Sequence, residues 1–223
     1  MKRKPDILLA VSLVIILLSA VFIYEKAYKN NEPSVDELKL LANQGDIDAQ
    51  NKLGAAYFNS KGVEKNIAEA LRWFTLSAQK GYAKAQYNLG IMYYVGQGVP
   101  QNQAEAVKWF SKAARQGLAD AQYNLGVMYY QGAGITQNYP EALKLYSQAA
   151  QKGHALAQYN LGLMYLQGNS VPKDPVKAYL WLSLAAGQKV PEAIKNRDYL
   201  AGKMTPSQLA AARKLASDWK PIK

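Results

Sequence analysis

The residues able to do chemistry are few. The chain carries one histidine, His154, and no cysteine. That excludes a centre built on several imidazoles, a thiolate zinc site, a cysteine nucleophile and a disulfide scaffold. His154 follows Gly153 at the slot held by Leu118 and Tyr82 one and two steps earlier, so it is expected at a surface or turn position. Three glutamates, Glu69, Glu105 and Glu141, recur at even spacing and form a ladder that could pair carboxylates or hold a cation. Arg72, Lys108 and Lys144 stand three residues after each, and intrahelical ion pairs with capping account for the ladder better. No phosphate loop, Ser/His/Asp set or metal-ligand spacing is present. The expectation is a protein with no catalytic residue, no metal and no cofactor.

A binding protein needs elements to shape its surface, and the composition supplies them. Of 223 residues, 49% are hydrophobic and 19% charged, enough apolar material for a sizeable core and too much for a disordered chain. The net charge of +11 suits anionic partners without naming one.

Residues Ile7 to Tyr24 carry no charge and are almost wholly aliphatic. As a helix they would span about 27 Å, sufficient for the hydrocarbon core of a bilayer. A cleaved signal peptide is the rival, but Leu18 before Ala20 and Glu25 before Ala27 make poor cleavage sites, and the apolar run is long for one. An uncleaved anchor at 1–24 is expected, followed by a polar tether at 25–33. Lys2, Arg3 and Lys4 favour a cytoplasmic N-terminus. The remainder would then lie outside the inner membrane, in the periplasm if the source is a Gram-negative bacterium. Without residues 1–24 the charge is still +9.

The rest is one unit read four times. Ala49-Gln50 recurs as Ala85-Gln86, Ala121-Gln122 and Ala157-Gln158, always 36 residues apart. Leu53-Gly54, Tyr57 and Trp73 recur on the same step, with Leu145 in the third tryptophan slot. Each unit reads as two helices. The first places Ala85, Leu89 and Met92 on one core stripe, and the glycine of the Leu-Gly pair implies close helix contact where a Cβ would clash. The second opens on an N-cap, Asn66, Asn102, Asn138 or Asp174, followed three residues on by the glutamate ladder in a near capping-box pattern; Lys177 takes that place in the fourth unit, which predicts a weaker cap. Gly81, Gly117 and Gly153 stand at C-terminal slots where a left-handed conformation is needed. Val35 to Ala42 aligns as a lone second helix, Pro191 to Leu200 as a degraded first helix, and Thr205-Pro206-Ser207 starts a polar final helix. The array proper occupies 34–187, its C-terminal caps 188–223.

The pattern A-Q-x-x-L-G-x-x-Y … G-x-G-V-x-x-[ND]-x-x-x-A-x-x-W-x-x-x-A-A-x-x-G resembles the Sel-one-like repeat, a relative of the tetratricopeptide repeat, over about residues 34 to 187. The tail KNRDYLAGKMTPSQLAAARKLASDW resembles the C-terminal cap of bacterial members. The resemblance implies an all-α fold, a right-handed α-solenoid of antiparallel helix pairs, here after one N-terminal transmembrane helix. It also implies an adaptor or scaffold for protein complexes. A branch credited with penicillin-binding or β-lactamase activity is rich in paired cysteines, which this chain lacks.

In the related tetratricopeptide fold, first helices line a concave groove. Matching the Leu-Gly pairs puts Lys84, Tyr87, Ile91 and Tyr94 toward it, then Asp120, Tyr123, Val127 and Tyr130, then Tyr159, Leu163 and Leu166, with Asn51 and Phe58 in the first unit. Asp48, Ala55, Asn59, Val95, Gln131, Leu156 and Gln167 hold the remaining equivalent slots. Tyr87, Ile91 and Tyr94 also share a stripe roughly opposite Ala85 and Met92. These tyrosines either line the groove or pack between adjacent first helices with the hydroxyl at the edge. Mixed, sparse charge on the strip favours an apolar protein segment as partner. The alternatives are an envelope polymer, peptidoglycan or an anionic polysaccharide, held by the basic surface, and, less favoured, a cell-wall hydrolase. Nucleic acid is not expected, since no continuous basic stripe with stacking aromatics is present.

Overall fold

The computed structural model describes residues 33–222. Among them run eleven α-helices and no strand: α1 Val35–Asn43, α2 Ile47–Asn59, α3 Ile67–Gln79, α4 Ala83–Val95, α5 Gln103–Arg115, α6 Ala119–Gln131, α7 Tyr139–Gln151, α8 Ala155–Gln167, α9 Pro175–Gly187, α10 Pro191–Ala201 and α11 Pro206–Asp218. Each packs on its sequence neighbours from α1 through α10, and α11 turns back onto α9. The result is an α-solenoid in which α2, α4, α6 and α8 are first helices and α3, α5, α7 and α9 second helices. The apolar stretch Ile7–Tyr24 lies outside the described residues. Among those described, no helix is long and apolar enough to cross a membrane.

Local sequence explains the helix starts. Asn66, Asn102 and Asn138 each accept the backbone N–H three residues on at 3.0 Å, and Asp174 does the same for Lys177 at 2.9 Å, which satisfies one of the otherwise orphaned donors. The expected reciprocal box is absent at these caps. Glu69 instead accepts from Arg72 at 3.3 Å and from the Trp73 indole at 3.1 Å, and Glu105 and Glu141 hold Lys108 and Lys144. A cation one turn away competes better for the carboxylate than a solvent-exposed backbone N–H. Complete boxes close α1, through Ser34 and Glu37, and α11, through Thr205 and Gln208.

The recurrent glycine of the first helix is where its partner helix lands. A Cβ on Gly90 would sit 2.7 Å from the Phe110 ring, and one on Gly54, Gly126 or Gly162 2.8–2.9 Å from Phe74, Tyr146 or Leu182. Around this contact lie the buried Ala85, Leu89 and Met92 and their equivalents. The glutamine of each Ala-Gln pair is buried too. Gln50, Gln86, Gln122 and Gln158 donate through Nε2 to the carbonyls of Ala42, Ala78, Ala114 and Ala150 at 3.0–3.3 Å, tying each first helix to the end of the preceding second helix. A further bond joins whole units. Lys80, Gln116 and Gln188 donate to the carbonyls of Gly45, Gly81 and Gly153 at 2.8–2.9 Å, and Lys152 to that of Gly117.

The C-terminal end is closed by its own tail. Trp219 meets Trp181 edge-on at 6.3 Å, and the Ile222 N–H donates to the carbonyl of Gln151, the last residue of α7, at 2.9 Å. At the other end α1 lies on α2, its Leu38 and Ala42 buried against Ala49 and Leu53.

Candidate functional site

The face of the first helices carries the side chains expected to contact a partner, and the fold gives them two kinds of place. Tyr87, Tyr123 and Tyr159 are half-buried at the joints between units. Tyr87 packs on Phe110 with ring centres 5.7 Å apart, and Tyr123 on Tyr146 at 6.0 Å. Their hydroxyls meet asparagines of the following unit: Asn124 donates to Tyr87 at 3.4 Å and Asn196 to Tyr159 at 3.2 Å. In the first unit Asn51 takes the tyrosine's place, buried, and accepts from Asn88 at 2.9 Å. Burial pushes the phenols of Tyr87 and Tyr123 above their ordinary pKa. This asparagine ladder was not anticipated, although Tyr87-Asn88, Tyr123-Asn124 and Tyr159-Asn160 recur on the 36-residue step; the bonds join residues 37 apart and are invisible within one helix.

The remaining positions differ in exposure. Phe58, Ile91, Tyr94, Val127, Tyr130, Leu163 and Leu166 are half-buried, whereas Lys84 and Asp120 are exposed. Phe58 leans on Phe74 at 6.4 Å, and Tyr130 meets Tyr139 edge-on at 5.0 Å. Between α6 and α8 this face opens into a pocket of about 100 Å³, lined by Tyr130, Tyr146, Asn160, Leu163, Met164 and Gln167. Tyr130, Leu163 and Gln167 were expected on this face. Tyr146 comes from the second helix α7, at the slot of Phe74 and Phe110, and the hydroxyl replacing a bare ring was its only sequence signal.

His154 stands at the turn before α8, one of the two places expected for it, but its side chain is not on the surface. Its imidazole is only 16% exposed and stacks on Tyr123 at 4.6 Å. Its Nδ1 accepts the Ala157 N–H at 3.1 Å, so it is the N-cap of α8, and Nε2 lies 3.5 Å from an Asp120 oxygen. Burial holds its pKa below the ordinary value, with Asp120 pulling partly the other way. The same reach across the joint recurs in the first unit, where the Tyr82 hydroxyl donates to Asp48 at 2.5 Å. Burial and that carboxylate push Tyr82 up to about 12. For Asp48, hydrogen bonds from Lys52 and Tyr82 outweigh the upward effect of burial and leave it lowered. On this strip Asp48 is thus held by Lys52 and Tyr82, while Asp120 lies beside the imidazole. Among the described residues no group of three or more His, Asp or Glu side chains could hold a metal.

The Sel1 repeat profile matches residues 47–82, 83–118, 119–154 and 155–189. A Sel1 repeat protein from Oxalobacter formigenes is 35% identical, with a TM-score of 0.72, over 90% of this chain and 81% of its own. A protective antigen of uropathogenic Escherichia coli with an SLR fold is 34% identical, with a TM-score of 0.76, over 83% of this chain; the match spans only 41% of that protein's length. An immunity protein from Pseudomonas aeruginosa, 20% identical over 90% of this chain and 81% of its own with a TM-score of 0.53, shares the fold alone. No curated protein matches the sequence. With the four profile matches together taking in well over half of its residues, the chain belongs to the Sel1 repeat family.

Proposed function

We propose that this chain is a membrane-tethered scaffold that receives a segment of another protein along the face of its first helices. Repeats of this family are generally scaffolds for protein–protein contact. The observation that carries the finer reading is the pocket between α6 and α8, a concave feature on a strip of half-buried Tyr, Leu, Val and Ile side chains. Such strips supply interface anchors. Binding would be mainly by apolar contact and neutral hydrogen bonds, since Asp48 is held by Lys52 and Tyr82 and the strip's other charges, Lys84 and Asp120, are few and of opposite sign. The anionic-polymer reading has less support: Arg72, Lys108, Lys144 and Lys177 on the second helices each pair with an acid three residues earlier. Ile7–Tyr24 would hold the scaffold to the bilayer, with the array on the periplasmic side.

A photoreactive residue placed in turn at Val127 and Leu163, and at exposed Lys108 and Lys144, tests this in intact cells. Discrete crosslinked products from the first pair and none from the second are expected. Products from Lys108 and Lys144 alone would remove the reading. A reporter fused after Lys223 should report the periplasmic side.

A further inference from the structure

One position breaks the repeat's own rule. The slot on the second helix that meets the Leu-Gly glycine holds Phe74, Phe110 and Leu182 in three units but Tyr146 in the third. Tyr146 is only 2% exposed, and a hydroxyl in a helix-pair core is costly unless it is hydrogen-bonded. Tyr146 is among the residues lining the pocket, so the third unit brings a phenol to a slot where the others carry hydrocarbon.

Hydrogen-bonding capacity around the pocket is uneven in a useful way. Asn160 donates to the phenol oxygens of Tyr123 and Tyr146 and partly offsets the upward push of burial on both. Its carbonyl oxygen remains as an acceptor. Elsewhere around the pocket, Asn169 donates to the Tyr130 hydroxyl oxygen at 3.3 Å and to Gln167 Oε1 at 2.8 Å. The Tyr130 O–H and the Gln167 NH₂ are left as donors. Leu163 and Met164 complete the lining with apolar surface. No charged side chain takes part, so an ionised guest would lose water without gaining a counter-ion. The volume of about 100 Å³ is several times the space that one water needs.

We infer that this pocket takes a carboxamide side chain, asparagine or glutamine, presented by the bound protein segment; the inference rests on the groove reading above. A carboxamide offers an acceptor to Tyr130 and Gln167 and donors to Asn160 at once, while its methylene stem lies on Leu163 and Met164. A hydroxyl group offers too few hydrogen-bonding atoms to serve Tyr130, Gln167 and Asn160 together, and a carboxylate has no donor for Asn160.

The test uses the intact chain, isotopically labelled in detergent micelles, with N-acetyl-glutamine methylamide as probe and N-acetyl-glutamate methylamide as control. Saturable shifts of the Asn160 and Gln167 side-chain amide signals are expected with the glutamine derivative, with about tenfold weaker binding of the glutamate derivative and about tenfold weaker glutamine binding in Tyr146→Phe. The variant keeps the fold, because phenylalanine already fills this slot in two other units; an unchanged thermal melt checks that. Shifts that do not saturate, an equal response to both probes, or unaltered affinity in Tyr146→Phe would overturn the assignment. Crosslinking from Val127 and Leu163 that persists in full while the probes fail would leave the groove reading standing and the pocket assignment overturned. Loss of groove crosslinking altogether would remove both.

Discussion

At His154 a single imidazole both caps a helix and fills a joint. Capping requires Nδ1 to be an unprotonated acceptor for Ala157, and burial against Tyr123 opposes protonation as well, lowering the pKa from 6.5 despite Asp120. The unfolded chain therefore takes up this proton at a higher pH than the folded one. The stabilisation is complete above about pH 6.5 and is lost as pH falls toward the depressed folded value. The melting temperature should decline between about pH 7 and 5, and His154→Asn, which keeps a capping acceptor without a titrating group, should flatten that part of the profile. A second residue-scale expectation concerns Gly90. An alanine there gains about 1 kcal/mol of helix propensity but drives its methyl to 2.7 Å from Phe110, and such overpacking costs about 1–3 kcal/mol. Gly90→Ala should lower the urea midpoint, and an unchanged or higher midpoint would show that Phe110 can yield.

Among the elements, the ends of the second helices alternate in how they serve their neighbours. Gln116 and Gln188 donate both to a glycine carbonyl and to the buried Oε1 of Gln86 and Gln158, at 2.8 and 2.9 Å. Lys80 and Lys152 stand at the same slot, and there Oε1 of Gln50 and of Gln122 has no partner. Lys80→Gln should supply one and raise the free energy of unfolding by about 1 kcal/mol, measured by chemical denaturation. Another element end is strained: the left-handed slot after α9 holds Lys189 at φ 65°, where Gly81, Gly117 and Gly153 stand elsewhere. Lys189→Gly should raise stability by about 1 kcal/mol, seen as a higher melting temperature. These elements were largely legible in the sequence. A slot that meets the same surroundings in every unit keeps its residue type, so the Asn caps, the Leu-Gly contact and the C-terminal glycines announce themselves by recurrence. The candidate site was legible only in part. The strip from Tyr87 to Leu166 follows from helical spacing, but the asparagines that hold the hydroxyls of Tyr87 and Tyr159 come from the next unit and cannot be read from one helix. The pocket depends on Tyr146, on a different helix, whose single hydroxyl leaves no mark on hydrophobic periodicity.

Across the whole molecule each repeat packs on those beside it, and only the C-terminal tail reaches past the fourth unit to Gln151 in the third, so stability propagates mainly by neighbour contacts. Gly162→Ala, which crowds Leu182 at 2.9 Å, should loosen α8 to α10 before it affects α2 and α3. Hydrogen exchange resolved along the chain should show protection falling first between residues 155 and 201; uniform loss would mean the array melts as one cooperative block. The bond from each second-helix end to a glycine carbonyl 35 residues back has a consequence for changes in length. The docking surface that one unit shows to the next is the same surface it received from the last. A duplicate of residues 83–118 spliced in after Leu118 would find both of its faces already matched, and the solenoid could grow by a full module while Tyr146 and its surroundings stayed as they are.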